Sequence, residues 1–215
     1  MRAPFLILET GQPVASMRRH GTFSHWIRVA AGLEADDAVI CRVADGEALP
    51  RRDGFAGVMV TGSAAMVTDR HDWSERSAAW LHEAAHADVP LFGICYGHQL
   101  LAHALGGEVG DNPAGREMGT IALALQPHAH DDPLFAGLPA SMPAHAFRWR
   151  DRVWGVQFHP EFSTQHMRGY VHARQDALAS EGRCALRLSR EITAAPHARN
   201  VLRRFARHAR TLRAS

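Results

Sequence analysis

The sequence predicts an α/β fold, a doubly wound and mostly parallel sheet with helices on both of its faces. Two observations carry this. Short apolar runs alternate with helix-period segments through the first half of the chain, the order that builds βαβ units. Those runs look buried rather than half-solvated, as strands of a parallel sheet covered on both sides should. With 46% hydrophobic and 21% charged residues over 215 positions, the chain can bury a sizeable core, and its length suits one domain over residues 1–215.

The elements follow in order. Residues 4–8 (Pro-Phe-Leu-Ile-Leu) read as a buried strand, then a polar loop leads to an amphipathic helix over 23–33. Residues 38–43 and 57–61 are the second and third strands. Trp73, Ala79, Trp80, Ala84 and Ala87 recur near helical spacing and mark a helix over 73–87. A fourth strand over 90–95 runs into a helix over 97–105, which Gly106-Gly107 ends. Residues 119–125 read as a further strand and 131–135 as a short helix. A β-hairpin follows, 142–149 against 152–158, turned near Arg150-Asp151. Two C-terminal helices, over 164–181 and 198–213, close the chain. The last carries Arg199, Arg203, Arg204, Arg207, Arg210 and Arg213, which suit a solvated outer face better than a nucleic-acid contact.

Composition removes several chemistries. The formal net charge is +2, which advertises neither nucleic acid nor an acidic tail. All 24 cationic side chains are arginine, so there is no lysine for a phosphate-binding loop, a pyridoxal Schiff base or a general base. Three cysteines, Cys41, Cys95 and Cys184, are too few for a disulfide framework, and none sits in a C-x-x-C pair. The apolar run at the N-terminus is too short for a signal peptide, and no run approaches the ~20 residues of a membrane span. A cytoplasmic protein with reduced thiols is expected, with no cofactor, no metal, and neither nucleic acid nor membrane as a partner.

The sharpest local signal is Leu91-Phe92-Gly93-Ile94-Cys95-Tyr96-Gly97-His98-Gln99, a strand that passes through Gly-x-Cys-x-Gly straight into a helix. This is the cysteine form of a nucleophile elbow: Gly93 and Gly97 relieve crowding about a sharp turn that thrusts Cys95 out at the sheet's C-terminal edge. The helix N-terminus would lower the thiol pKa from its usual ~8.5. A cysteine merely buried at a glycine-rich turn would look the same in isolation. The second signal answers that. Val153-Trp154-Gly155-Val156-Gln157-Phe158-His159-Pro160-Glu161 is a strand ending in His-Pro-Glu, where period-2 geometry lets His159 and Glu161 share a side. A nucleophilic cysteine needs a base, and the base an orienting carboxylate, and the chain offers them in the order Cys95, His159, Glu161. The third, Val60-Thr61-Gly62-Ser63-Ala64-Ala65-Met66, is a strand ending in small residues. It suits an oxyanion hole or an anion cradle, and equally a plain βα turn.

Together these three stretches resemble the class I glutamine amidotransferases, whose fold is flavodoxin-like, and within them the stand-alone branch similar to the glutaminase domain of GMP synthase. The resemblance runs from about residue 3 to residue 210 and takes in Gly115-Arg116-Glu117-Met118-Gly119. It implies that Cys95 attacks the side-chain amide of glutamine to give a γ-glutamyl thioester and ammonia. His159 would move the protons and Glu161 would hold its tautomer. Backbone N–H groups of Tyr96 and Ser63, beside Gly62, would bind the oxyanion, and Gln99 would lie against the substrate. A small-molecule substrate (L-glutamine or a γ-glutamyl compound) and a synthetase partner that receives the ammonia follow from the same resemblance. One departure stands out. After Met142-Pro143-Ala144-His145 the family carries a further turn and strand pair, on the order of 25 residues, that is missing before the final hairpin. That turn helps hold the amino-acid end of glutamine in relatives.

Other readings compete. The same triad could serve a γ-glutamyl amide hydrolase, or the scaffold could bind a partner without turnover. Leu81-His82-Glu83-Ala84-Ala85-His86 matches H-E-x-x-H, the zinc-hydrolase helix, with Glu108 as a conceivable third ligand. Its helix stops by Pro90, no further histidine follows at a ligand spacing, and 15 histidines make a chance i, i+4 pair unsurprising. Two exposed surface histidines are the better expectation.

Overall fold

The computed structural model describes residues 2–110, 118, 127–138 and 146–214. Six strands form one sheet: β1 (Phe5–Leu8), β2 (Ala38–Cys41), β3 (Gly57–Val60), β4 (Leu91–Ile94), β5 (Ala146–Trp149) and β6 (Val153–Val156), in the order β2-β1-β3-β4-β6-β5. Every neighbouring pair is parallel except the hairpin β5–β6. Seven helices accompany them: α1 (Phe23–Ala31), α2 (Asp72–His86), α3 (Tyr96–Ala104), α4 (Thr164–Ala173), α5 (Gln175–Ser180), α6 (Ala185–Glu191) and α7 (Pro196–Ala214).

Strand alternation divides the core in two. Phe5, Ile7, Met59, Phe92, Ile94, Trp154 and Val156 meet Ile27 and Ala30 of α1 and Val201, Leu202 and Phe205 of α7. Their sequence neighbours Leu6, Leu8, Val58, Val60, Leu91 and Val153 turn to the other face, against Leu81 and Ala84 of α2 and Leu100 and Leu101 of α3. Both faces are thus dry. Each large side chain so buried contributes about 1.5–3 kcal/mol relative to exposure, which is why these strands carry no polar alternation. With both faces covered, ligands of such a sheet sit at its C-terminal edge, in the crevice where the strand order reverses between β1 and β3.

At that crevice the chain ends leaving β1 and β3 are tied together. Thr10 donates its backbone N–H to Thr61 Oγ1 at 3.0 Å and its hydroxyl to the Gly62 carbonyl at 3.1 Å. The close approach of the two loops also requires Gly11, where a Cβ would stand 2.7 Å from Ser63 Oγ.

The C-terminal part differs from expectation in countable ways. The single helix expected over 164–181 is broken at Arg174 (φ −110°, ψ 15°) into α4 and α5, and α6 is an additional helix. The final helix begins earlier, at Pro196, where a missing N–H costs nothing in the first turn. Its arginines divide into two sets. Arg210 pairs with Asp37 at 2.7 Å, Arg204 reaches the Leu134 and Ala136 carbonyls, and Arg213 reaches the Phe55 carbonyl. Arg199, Arg203 and Arg207 form the exposed face. The strand expected over 119–125 lies outside the described residues.

The short helix expected over 131–135 is displaced to a 3-10 turn, Pro127–Asp131, and Asp132 explains why. Its Oδ1 accepts the N–H groups of Leu134 (2.8 Å) and Phe135 (3.2 Å), which favours a new turn over continuation of the first. Its Oδ2 accepts from Trp154 Nε1 at 3.1 Å and Arg148 at 3.2 Å, so one buried carboxylate fastens this segment to the hairpin. Asp132→Ala is expected to cost about 2–4 kcal/mol, because it strands buried donors, whereas removing the exposed Asp151 partner of Arg148 should cost less than about 1 kcal/mol. Urea midpoints of the two variants decide this; equal midpoints would show that Asp132 holds nothing.

Candidate active site

Between β4 and α3 the backbone turns at Cys95 with φ 52° and ψ −105°, outside the regions an L-residue prefers. Such a conformation costs of order 1–3 kcal/mol and persists only where its surroundings hold it. Here two main-chain bonds do so: Cys95 N–H donates to the Val156 carbonyl at 2.8 Å, and Gly97 N–H to the Thr61 carbonyl at 3.1 Å. Both glycines are demanded by space. A Cβ on Gly93 would lie 2.3 Å from the Gly97 carbonyl oxygen, and one on Gly97 would lie 2.5 Å from the Val60 carbonyl oxygen.

β6 delivers the other groups. His159 Nδ1 lies 2.8 Å from Glu161 Oε1, and Glu161 is buried. The carboxylate accepts a hydrogen bond from Nδ1–H, which leaves Nε2 as the ring nitrogen available to Cys95, the side chain with which the imidazole interacts electrostatically. Phe162 stacks on the His159 ring at 4.3 Å between centroids, and Phe23 of α1 lies 6.4 Å from both rings. Burial would push the Cys95 thiol up, but the charge and hydrogen bond of His159 outweigh it and hold the thiol below its ordinary pKa. Burial alone would likewise depress His159; the charges of Glu161 and Cys95 and the hydrogen bonds to both carry its pKa well above the ordinary imidazole value. Both shifts run in the direction that favours a thiolate beside an imidazolium over the neutral pair.

The remaining residues expected at the site fall into two groups. Gly62 stands against the pair: a Cβ there would be 3.0 Å from His159 Cε1 and 3.8 Å from Cys95 Cβ. The Tyr96 backbone N–H makes a small contribution to lowering the Cys95 thiol pKa, and the Tyr96 side chain is buried away from the sulfur, its hydroxyl on Ser74 at 2.6 Å. Ser63 belongs to the loop itself, its Oγ accepting the Ala65 N–H at 3.2 Å. Gln99 donates to Gln157 Oε1 at 3.1 Å, and Gln157 in turn donates to Cys95 Sγ at 3.5 Å. Gln157 carries no assignment in the sequence reading. The signal was present, since alternation places residue 157 on the same side as 159 and 161.

The competing histidines lie elsewhere. His82 and His86 are exposed on α2, their Nδ1 atoms 2.9 Å from the carbonyls of Ala104 and His82 respectively. Among the described residues no cluster of three or more His, Cys, Asp or Glu side chains could hold a metal. Cys41 is buried and Cys184 exposed, and both are free thiols. No helix among the described residues is long and apolar enough to cross a membrane.

Residues 38–146, just over half of the chain, match the family model described as glutamine amidotransferase class-I, and the chain belongs to that family. The match contains Cys95 and ends before His159 and Glu161. Among curated relatives, it is 36% identical over 144 residues to the glutamine-hydrolysing GMP synthase of Aeropyrum pernix, covering 54% of this chain and 25% of that one. To the GMP synthase of Thermomicrobium roseum it is 34% identical over 130 residues, covering 49% and 23%. The chain thus spans about a quarter of the length of these two relatives. The fold is shared with a glutamine amidotransferase from Thermotoga maritima (TM-score 0.71, 17% identity, covering 98% of this chain and 99% of that one). It is also shared with a glutamine amidotransferase from Methylobacillus flagellatus (TM-score 0.66, 20% identity, covering 98% and 94%).

Proposed function

We propose that the chain hydrolyses the side-chain amide of glutamine through a covalent thioester on Cys95. The observation that carries this is the arrangement of Cys95 at a strained elbow, His159 beside it across Gly62, and buried Glu161 hydrogen-bonded to Nδ1 of the same ring. Sγ adds to the amide carbon; the tetrahedral oxyanion is received by the Tyr96 N–H and the backbone at Gly62 and Ser63. His159 passes its proton to the departing nitrogen, the C–N bond breaks, and ammonia leaves a γ-glutamyl thioester. Water then gives its proton to His159 as it attacks the thioester carbon. The C–S bond breaks, releasing glutamate and the thiolate, and no net proton remains on the protein.

The ammonia would go to an acceptor held by a synthetase partner. Without a lysine these 215 residues offer no lysine-bearing ATP loop, so that acceptor chemistry lies outside them. The test is release of ammonia and glutamate from glutamine by the purified chain, with intact mass to trap the adduct. Residues 139–145, which lead into the shortening after His145, fall outside the described residues; without the family's further turn, KM should lie above about 1 mM while Cys95 stays reactive. Contacts to a remote part of the substrate act on ground and transition states alike, so kcat should be spared. Turnover of other γ-glutamyl amides in preference to glutamine would favour the amide-hydrolase reading. Absence of turnover on any amide, with an alkylatable Cys95, would overturn both.

A further inference from the structure

Gln157 lies in the one contact at the sulfur that the proposed mechanism does not use. It leaves the end of β6 two residues before His159, and its Nε2 approaches Cys95 Sγ at 3.5 Å, while its Oε1 accepts from Gln99 Nε2 at 3.1 Å. Gln99 stands one helical turn after Cys95 and donates its own backbone N–H to the Cys95 carbonyl at 3.1 Å. The two glutamines therefore form a short chain that begins and ends at the nucleophile. With its oxygen turned toward Gln99, the Gln157 amide presents its N–H₂ end, a donor, to the sulfur.

We infer that Gln157 is a positioning residue for the nucleophile, holding the Cys95 side chain toward the crevice and donating to its thiolate, with Gln99 fixing the orientation of the Gln157 amide. The inference rests on the proposed role of Cys95 and adds a hydrogen-bond donor to the sulfur, beside the electrostatic influence of His159. A thiol sulfur is a weak acceptor and a thiolate a good one, so a donor placed there favours the ionised form. The titratable groups that bear on this sulfur are His159, which favours the thiolate, Glu161, which opposes it, and Tyr170, which is electrostatically coupled to Cys95. A neutral donor offsets part of the Glu161 repulsion without adding a charge that glutamine would have to displace. It also has a cost: a thiolate held by more hydrogen bonds is a weaker nucleophile.

That trade-off supplies a test that a merely structural residue would not meet. The rate of iodoacetamide alkylation at Cys95, resolved by peptide mapping of the full chain, is measured against pH for the wild type, Gln157→Met, Gln157→Glu and Gln99→Met. Gln157→Met should raise the midpoint by about one pH unit, roughly tenfold less thiolate below it. It should also raise the limiting high-pH rate about threefold, as the freed thiolate becomes more nucleophilic. Gln157→Glu should move the midpoint further in the same direction, and Gln99→Met should move it less. Thiolate ultraviolet absorbance gives the midpoint independently. If Gln157→Met does not fold, the isosteric Gln157→Glu decides alone. Midpoints within about 0.2 pH unit of the wild type for the folded Gln157 variants would overturn the assignment. Alkylation needs no glutamine: a shifted midpoint without ammonia release by the wild type would sustain this inference and refute the proposed reaction, and the converse result would do the reverse.

Discussion

Cys95→Ala is expected to abolish the covalent adduct and to lower glutamine hydrolysis by at least about 10⁴-fold, while Cys41→Ala and Cys184→Ala keep both. Of the three thiols only Cys95 pairs with an imidazole; Cys41 is buried behind the Ala48 carbonyl and pushed up in pKa by that burial, and Cys184 lies exposed on the surface. His159→Ala should cost several orders of magnitude as well, since both proton transfers pass through it. Glu161→Ala should cost less, because water can partly orient the ring. The pH profile carries the same information. The thiolate is lost only as pH falls through the lowered pKa of Cys95, so alkylation should rise once with pH and stay high. Hydrolysis also needs the imidazolium proton for the leaving nitrogen, and that proton is lost as pH rises through the elevated pKa of His159, so its profile should be bell-shaped. Steady-state rates from acid to alkaline pH check both limbs; an adduct that survives in Cys95→Ala would sink the assignment.

Gly93→Ala should be the most damaging of the small substitutions. Its new methyl would stand 2.3 Å from the carbonyl oxygen and 2.5 Å from the carbonyl carbon of Gly97, both main-chain atoms at the foot of the elbow. Neither can swing aside as a side-chain tip could, so the turn must open. About 3 kcal/mol or more of stability should be lost. The displacement of Cys95 should lower hydrolysis by about 10²-fold even in molecules that still fold. Gly46→Ala is the control: its φ of 88° brings strain, but nothing lies within 4 Å of the added Cβ, and it should cost only about 1–2 kcal/mol without touching activity. Thermal unfolding and specific activity of the two variants would separate crowding at the elbow from a generic glycine effect.

The parts of the fold that sequence reveals are those where one physical demand dominates. β1, β3 and β4 are buried on every residue, and continuous apolar runs between turn residues mark such strands to within a residue or two. The break at Arg174 carries no proline or glycine to announce it, and α6 contains no fully buried residue, so neither leaves a hydrophobic period to read. The order of the strands is set by packing between distant segments, and no local pattern encodes it. At the site, Cys95, His159 and Glu161 were legible because strained turns and paired titratable groups need particular residue types at particular spacings. For Gln157 alternation offered the side it shares with His159, but an amide just past a strand end looks like any polar residue until its partners are placed around it.

The elbow beneath the sulfur owes its location to main-chain atoms: the two bonds that pin it run from Cys95 and Gly97 to the carbonyls of Val156 and Thr61. Peptide groups are the one component of a protein that mutation leaves in place. Selection can therefore rework the side chains of the neighbouring loop at residues 63–66 with little effect on where the nucleophile sits. Such an architecture lets the loop's side chains drift over generations while the backbone frame beneath Cys95 is inherited intact.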